Sequence, residues 1–357
     1  MLRTYKRLSL AAGQARGTFM KHCTTYLLGL ALILTACASS KAPKSGSALP
    51  PSPQVPPAPP LHSQPIDLSL RAAARTELLA ECTASDPFLR CNAIEALSDV
   101  DPADAAGPIA HGLDELEPSV RFAAALSAGQ IRLKSVYPKL LAMANDDDLR
   151  VQAAVRFALH RLGDRRQSHD LEKLAGNPDF KVRASTAQVL GLLGEPSATN
   201  ILVTLMSDPS APVRIQAAEA LWRLGDQRGL EALLAYAISV FPDDQIIALQ
   251  ALAEPRNPRA AQELRSELTE VYPEVSLAAA RGLGMLGSDE GWQVAMTGAR
   301  STEPRQRSLA ALAMGAIGRS DLQPPLATLL KDPEPSVRVS AATAVLQLHQ
   351  PSQVAGD

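Results

Sequence analysis

One apolar pattern, returning at a fixed interval, limits this chain more than any other feature. Counted from Val213, apolar residues fall at offsets 0, +4, +7, +8 and +11, the stripe of one helix face. The pattern recurs every 31 residues, so that offset 0 is Leu89, Val120, Val151, Val182, Val213, Asp244, Val275, Gln306 and Val337. Offset +8 is Leu97, Ala128, Leu159, Leu190, Leu221, Leu252, Leu283, Met314 and Val345. Proline stands two residues before offset 0 in six copies (Pro87, Pro118, Pro242, Pro273, Pro304 and Pro335), where its missing N–H costs nothing. Glycine at +12 (Gly163, Gly194, Gly225, Gly287 and Gly318) permits the left-handed turn that ends a helix.

A second helix fits between copies. Offset +20 is Ile109, Leu140, Leu171, Leu202, Leu233, Leu264, Ala295 and Leu326, and +24 is again mostly apolar. Residues four apart share a helix face. Projected backwards, the pattern puts Leu78 and Cys82 on the first helix of the first unit. A lone pair of short helices cannot bury its apolar face, whereas stacked pairs share a continuous core. The expected architecture is therefore all-α: an α-solenoid, or superhelix, of nine two-helix repeats over residues 66–350, followed by a short tail at 351–357.

The phrase Val-Arg-x-x-Ala-Ala-x-Ala-Leu-x-x-Leu-Gly-Asp stands almost complete at Val213–Asp226 and well at Val182–Gly194, Val275–Gly287 and Val337–Leu348. It resembles the HEAT-like repeats of the family that includes the phycobilisome lyases. The resemblance implies a solenoid whose second helices line a concave face. It also implies that the arginine at +1 (Arg90, Arg121, Arg183, Arg214, Arg307, Arg338) and an acid or amide six residues earlier (Glu115, Asn177, Asp208, Asp332) hold neighbouring turns together. A ligand-binding basic strip is the rival reading of those arginines. Gln152, Gln245 and Ser276 break the arginine pattern. The sixth copy departs furthest, with Asp244 at offset 0 and Glu-Pro-Arg-Asn-Pro where others stop with Leu-Gly, which reads as a bend or a binding site.

The N-terminal 36 residues hold five Lys or Arg and no acid. Tyr26 to Ala36 is apolar but short for a membrane span, and it ends in Leu34-Thr35-Ala36-Cys37. Residues 1–36 read as an export signal whose ending looks like a lipobox, with Cys37 as the lipidated mature N-terminus. Met20 begins a signal of normal length, so the first 19 residues are either an upstream start or a long basic region. Ala38 after the cysteine points to the outer membrane of a diderm bacterium. Residues 37–65 form a Pro-rich linker that cannot pack a core. As polyproline it would reach up to about 80 Å. Removing the five basic leader residues from the 35 in the chain leaves 30 against 37 acids, a balance of −7. Such a surface is a poor partner for phosphate backbones, which argues against nucleic acid.

Cys82 and Cys91 are a disulfide candidate in an oxidising compartment, with two buried thiols as the equal alternative. Offsets +3, +6 and +10 point away from the apolar stripe. On that face Phe157, Arg161, Glu219, Arg223 and Arg281, together with Trp222 at +9, are candidate partner-binding anchors. Trp222 reads equally as a gap filler. His160, His169, Asp164 and Asp170 surround one turn without matching a metal-ligand spacing. No glycine phosphate loop, nucleophile elbow or Cys–His pair is present in the sequence, and no metal, cofactor or small-molecule substrate is expected. The reading is a non-enzymatic, lipid-anchored scaffold that binds a protein or peptide at the cell envelope. The alternative is a lyase-like enzyme or chaperone related to the bilin lyases.

Overall fold

The computed structural model describes residues 66–254 and 257–348. Eighteen α-helices follow one another in this part, in nine pairs. The first helices of the pairs are α1 (Leu68–Glu81), α3 (Pro102–Gly112), α5 (Tyr137–Ala142), α7 (Leu171–Ala175), α9 (Thr199–Leu205), α11 (Gln227–Ala237), α13 (Pro258–Ser266), α15 (Trp292–Gly298) and α17 (Gln323–Leu329). The second helices are α2 (Pro87–Val100), α4 (Pro118–Gln130), α6 (Leu149–Arg161), α8 (Phe180–Leu193), α10 (Ala211–Arg223), α12 (Pro242–Leu252), α14 (Pro273–Met285), α16 (Pro304–Ile317) and α18 (Pro335–Gln347).

The local signals act as the sequence predicts. All six prolines before offset 0 are the first residues of their helices. The five +12 glycines all have positive φ, for example 69° at Gly194 and 73° at Gly318. In the second copy Arg132 occupies that place with φ 53°, a conformation that strains a residue with a Cβ. The +20 residues Ile109, Leu140, Leu202, Leu233, Leu264 and Leu326 are fully buried, as are Leu78 and Leu221.

Second helices pack on one another in sequence order, and the first helices lie outside, all but α5 wedged between two consecutive second helices. The order does not stop at the ninth pair. Helix α18 packs on both α1 and α2, so α1 fills between α18 and α2 the place that the other wedged first helices fill between their neighbours. The solenoid thus closes on itself as a ring of nine second helices inside nine first helices. Ile66, Ala74 and Leu78 belong to the same buried apolar cluster as Val337, Ala341, Val345 and Leu348. Two polar ties span the seam: Gln323 Oε1 accepts from the Asp67 N–H at 3.1 Å, and Arg338 donates to Glu77 and Glu81. An open superhelix would leave the apolar flanks of α1 and α18 wet.

The ring does not turn evenly. At +9 four copies carry glycine, and a Cβ at Gly191 would lie 2.7 Å from Ala220 Cα, so these glycines let the next inner helix approach. In the fifth copy +9 is Trp222, and α10 and α12 are the least closely packed neighbours of the inner ring. A bulky side chain at a close-approach position holds the two helices apart. The bend expected near the sixth copy therefore begins one helix earlier, at Trp222.

Two outcomes follow for stability. Leu221→Ala is expected to cost about 2–5 kcal/mol in denaturant unfolding. Arg132→Gly is expected to raise stability by about 1 kcal/mol, since glycine relieves the left-handed strain. An unchanged or lower midpoint for Arg132→Gly would contradict the strain.

Candidate functional site

Ring closure changes what the face expected to be concave can do. The nine +6 side chains, one from each inner helix, converge on the ring axis: Glu95, Leu126, Phe157, Gln188, Glu219, Gln250, Arg281, Leu312 and Thr343. All but Arg281, which is half-buried, are buried. The ring is plugged at mid-height by its own side chains. Phe157 and Glu219, expected as partner anchors on an open groove, are only 1% and 7% exposed. Phe157 packs against the backbone edge of Gly129. Trp222 is 3% exposed and belongs to the apolar cluster with Leu230, Leu249 and Leu252. Neither aromatic presents a surface to a partner. Of the two readings of Trp222, the gap filler is the one the packing supports.

One step along each helix, the +10 residues form a charged mouth at one end of this plug. Arg223 donates to Glu219, one turn back on its own helix, at 2.8 Å, and to Glu254 of the next copy. Asp99 stands across the ring in the first copy, within electrostatic reach of Arg281 and Glu254 in the seventh and sixth. Burial lifts the Asp99 carboxyl to about 6, with Arg281 pulling it down and Glu254 pushing it up. Burial lowers the Arg281 guanidinium, against the pull of Asp99 and Glu254. Glu95, below them, is pushed well above the usual carboxylate range by burial and by Asp99. Arg161 is half-buried at the same mouth. Two of the six expected anchors, Arg223 and Arg281, thus belong to a charged network that reaches across the ring.

The +1 arginines build a second network, on the rim formed by the turn inside each repeat. Arg121 donates through Nη1 to the carbonyls of Glu115 and Leu116, both at 2.9 Å, and through Nε and Nη2 to the two oxygens of Asp146, again at 2.9 Å. Arg183 grips Asp208 at 2.6 and 2.8 Å, and Arg307 grips Asp332 at 2.7 and 2.9 Å, in the same way. Arg90 reaches Glu115. From the residue six earlier, each arginine takes only the backbone oxygen. The carboxylate that Arg90, Arg121, Arg183 and Arg307 hold lies 25 residues downstream, in the next repeat. The pairing by six residues is therefore corrected: the ladder joins one repeat to the next. Arg338 completes the last rung by taking Glu77 and Glu81 of α1 across the seam.

The ladder breaks unevenly twice: Arg214 finds Ser239 where the acid would be and donates to the Tyr236 hydroxyl at 3.0 Å instead, and one acid is left without an arginine. Where Gln152 replaces arginine, the next acid is also replaced, by Asn177. Where Ser276 replaces it, Ser301 stands opposite. Where Gln245 replaces it, the acid remains: Glu270 keeps its carboxylate and has no cation to hold it.

Cys82 and Cys91 are free and buried, which corrects the disulfide candidate. Cys91 faces Ser119 of the second repeat, while Cys82 sits beside Glu81 at the seam, so the two thiols point to different neighbours. Burial raises both, Cys82 to about 12. Cys37 and the linker lie outside the described residues. Among the described residues no helix is long and apolar enough to cross a membrane, and no group of three or more His, Cys, Asp or Glu gathers as a metal site. The His169 side chain also lies outside the described residues. Asp164 is engaged by Arg166 and by Tyr137.

Family models for HEAT repeats match residues 75–160 and 169–253, and a further HEAT repeat model matches 322–350, together more than half of the chain. The chain is a HEAT-repeat protein. Among solved structures, this HEAT ring is similar to the CpcE–CpcF complex of phycocyanin lyase from Nostoc sp. PCC7120, with 21% identity and a TM-score of 0.42 over 72% of this chain and 100% of that one. It is similar also to human deoxyhypusine hydroxylase in complex with glycerol, with 20% identity and a TM-score of 0.36 over 78% and 97%. No curated protein matches at a significant level.

The two networks give the HEAT ring opposite responses to pH. Glu95 and Glu219 in the interior and Asp99 at its mouth are raised by burial, and Glu267 near the rim is raised to about 7 by burial and by Glu270 and Glu263. These groups bind protons more tightly folded than unfolded, so they lose stability as pH rises from about 4 through their folded values. Burial also pushes Asp208 and Asp332 up, but the forks of Arg183 and Arg307 outweigh it and hold both low. Their contribution is lost as pH falls below about 4. The melting temperature is expected to peak near pH 5 and to fall towards pH 8. Glu95→Gln should flatten the alkaline side. A melting profile that rises from pH 5 to 8 would contradict this assignment.

Proposed function

We propose that this HEAT ring is a non-enzymatic scaffold, tethered to the cell envelope through a lipid on Cys37, that holds a protein or peptide partner on its outer rim. The observation that supports this most is the sealed interior. With Phe157, Gln188, Glu219, Gln250 and Leu312 buried along the axis, the inner face has no groove for a chain to lie in. Recognition then falls to the turn rim, where Leu116, Val240 and Val271 are almost fully exposed. Isolated apolar residues on a surface need no explanation, but neighbours on adjacent repeats make a contiguous patch. A ring with no free ends to fray suits a part that must present one surface steadily. The Pro-rich segment of 37–65 would set it at a distance from the bilayer.

The rival reading, a lyase-like enzyme or chaperone, draws on the mouth, where Asp99 is raised to about 6 within electrostatic reach of Arg281. A carboxylate of that kind can shuttle protons. That reading predicts visible absorbance from a tetrapyrrole that co-purifies.

Crosslinked capture from membranes tests the scaffold directly. The native chain is expected to return a defined partner, and Val240→Asp with Val271→Asp is expected to lose it. Feeding a fatty-acid analogue should label the native chain and not Cys37→Ser. An unlabelled native chain would remove the anchor, and a partner unaffected by the rim substitutions would move the contact elsewhere.

A further inference from the structure

The ladder acid left without an arginine lies at the junction of the sixth and seventh repeats. At offset −5 the acids Glu115, Asp146, Asp208 and Asp332 each receive an arginine from the preceding repeat. Glu270 occupies the same offset, but the residue that would supply its guanidinium is Gln245, whose amide instead donates to the Ala237 carbonyl at 3.0 Å. The Glu270 carboxylate accepts only from the N–H of Val271 next to it. Beside it Glu267 is 7% exposed, and its Oε2 has no hydrogen-bond partner. Glu263 and Glu270 are close enough to repel it. The arginines of α13, the helix that leads to Glu267, are already committed, Arg259 to Glu231 and Arg265 to Glu290. A buried, unpartnered carboxyl next to two others is costly unless a cation joins it.

Apolar residues frame this gap. Val271 and Tyr272 follow Glu270 directly, and Ile238 and Val240 occupy the corresponding turn of the sixth repeat; all four are exposed. Elsewhere on the rim Leu116 is exposed too, but its ladder rung is intact. Here a ladder acid without its arginine and exposed aliphatic groups stand together.

We propose that this gap is a docking site for a protein segment that carries an arginine between aliphatic residues. The incoming guanidinium takes the place that Gln245 leaves empty, facing Glu270 and Glu267, while its neighbours cover Val240, Val271 and Tyr272. Arginine suits the site because a planar fork can serve a carboxylate through two bonds, as Arg121 and Arg183 do within this molecule. An anionic lipid surface is disfavoured by the local negative charge. The proposal rests on the scaffold reading and names the chemistry of its partner.

The test uses the full chain and a labelled five-residue peptide, with arginine at the centre and valine and leucine on either side. The same peptide with central glutamine is the control, and binding is read by fluorescence anisotropy. The arginine peptide is expected to bind at least tenfold tighter than the glutamine peptide, and Glu270→Gln should erase that preference. Gln245→Arg should erase it as well, because the missing rung is then filled from within, and it should melt no lower than the native chain. Equal binding of the two peptides, or a preference that survives Gln245→Arg, would overturn the proposal. So would concentration-dependent self-association that Gln245→Arg abolishes, since the occupant would then be a second copy. A membrane partner captured equally well by the native chain and Gln245→Arg sinks this inference and leaves the scaffold standing. Failure to capture any partner sinks the scaffold reading itself.

Discussion

Everything else in the structure depends on the seam between the last helix and the first. Each repeat has two apolar flanks, and a stack of repeats always leaves two of them uncovered at its ends. Open solenoids must give those ends a polar surface or cap them. Here α18 lies against α1 and α2, and the apolar core runs through the junction. The ladder runs through it as well, because Arg338 finds in Glu77 and Glu81 the carboxylates that a tenth repeat would have offered. Nine repeats close if each turns by roughly 40°, a rotation set by the relative sizes of residues facing in and out. Glycine and alanine at the inner contacts and leucine at the outer ones give that taper.

Closure also decides where chemistry can happen. In a ring this small the +6 side chains meet, so the interior becomes a polar and apolar plug and the accessible surfaces become the two rims and the outside. On one rim Asp99 and Glu254 at +10 and Arg281 at +6 tie the first copy to the sixth and seventh by charge. On the other, arginines stitch repeats together at five of the nine junctions. Partly buried, two-pronged pairs of this kind contribute more than exposed ion pairs do, and they are sensitive to the loss of either partner. Such a ladder makes the one rung that keeps its acid without an arginine conspicuous. The junction of the sixth and seventh repeats combines that rung with the exposed aliphatic side chains of the neighbouring turns, next to the stretch where Trp222 has already spread the inner helices.

Much of this was legible in the residues alone. The 31-residue interval, the prolines at helix starts and the glycines at +12 act locally, so each could be read without knowing the rest. The +20 leucines were readable for the same reason, since four-residue spacing fixes a face. Closure was not readable, because it arises from a small rotation added nine times, and no single residue carries it. Phe157 and Trp222 were misplaced as a consequence: a face that points away from the apolar stripe is open in a superhelix and sealed in a ring. The partner of the +1 arginine was also missed. Sequence proximity favoured the acid six residues earlier, whereas the side chain reaches across to the next repeat and takes only the nearer backbone oxygen. Once that 25-residue pairing is known, Glu270 without an arginine at 245 can be found by inspection of the sequence.

The distance between the ends of the repeat array tests the central claim most directly. Spin labels at Ser69→Cys in α1 and Thr328→Cys in α17, both on exposed outer positions, can be measured by pulsed dipolar spectroscopy in the full chain. A closed ring puts α1 and α17 side by side as outer neighbours, about two helix spacings apart at most, so a single narrow distribution near 20 Å is expected. A broad distribution beyond about 40 Å would mean an open superhelix, with its ends free and its inner face exposed.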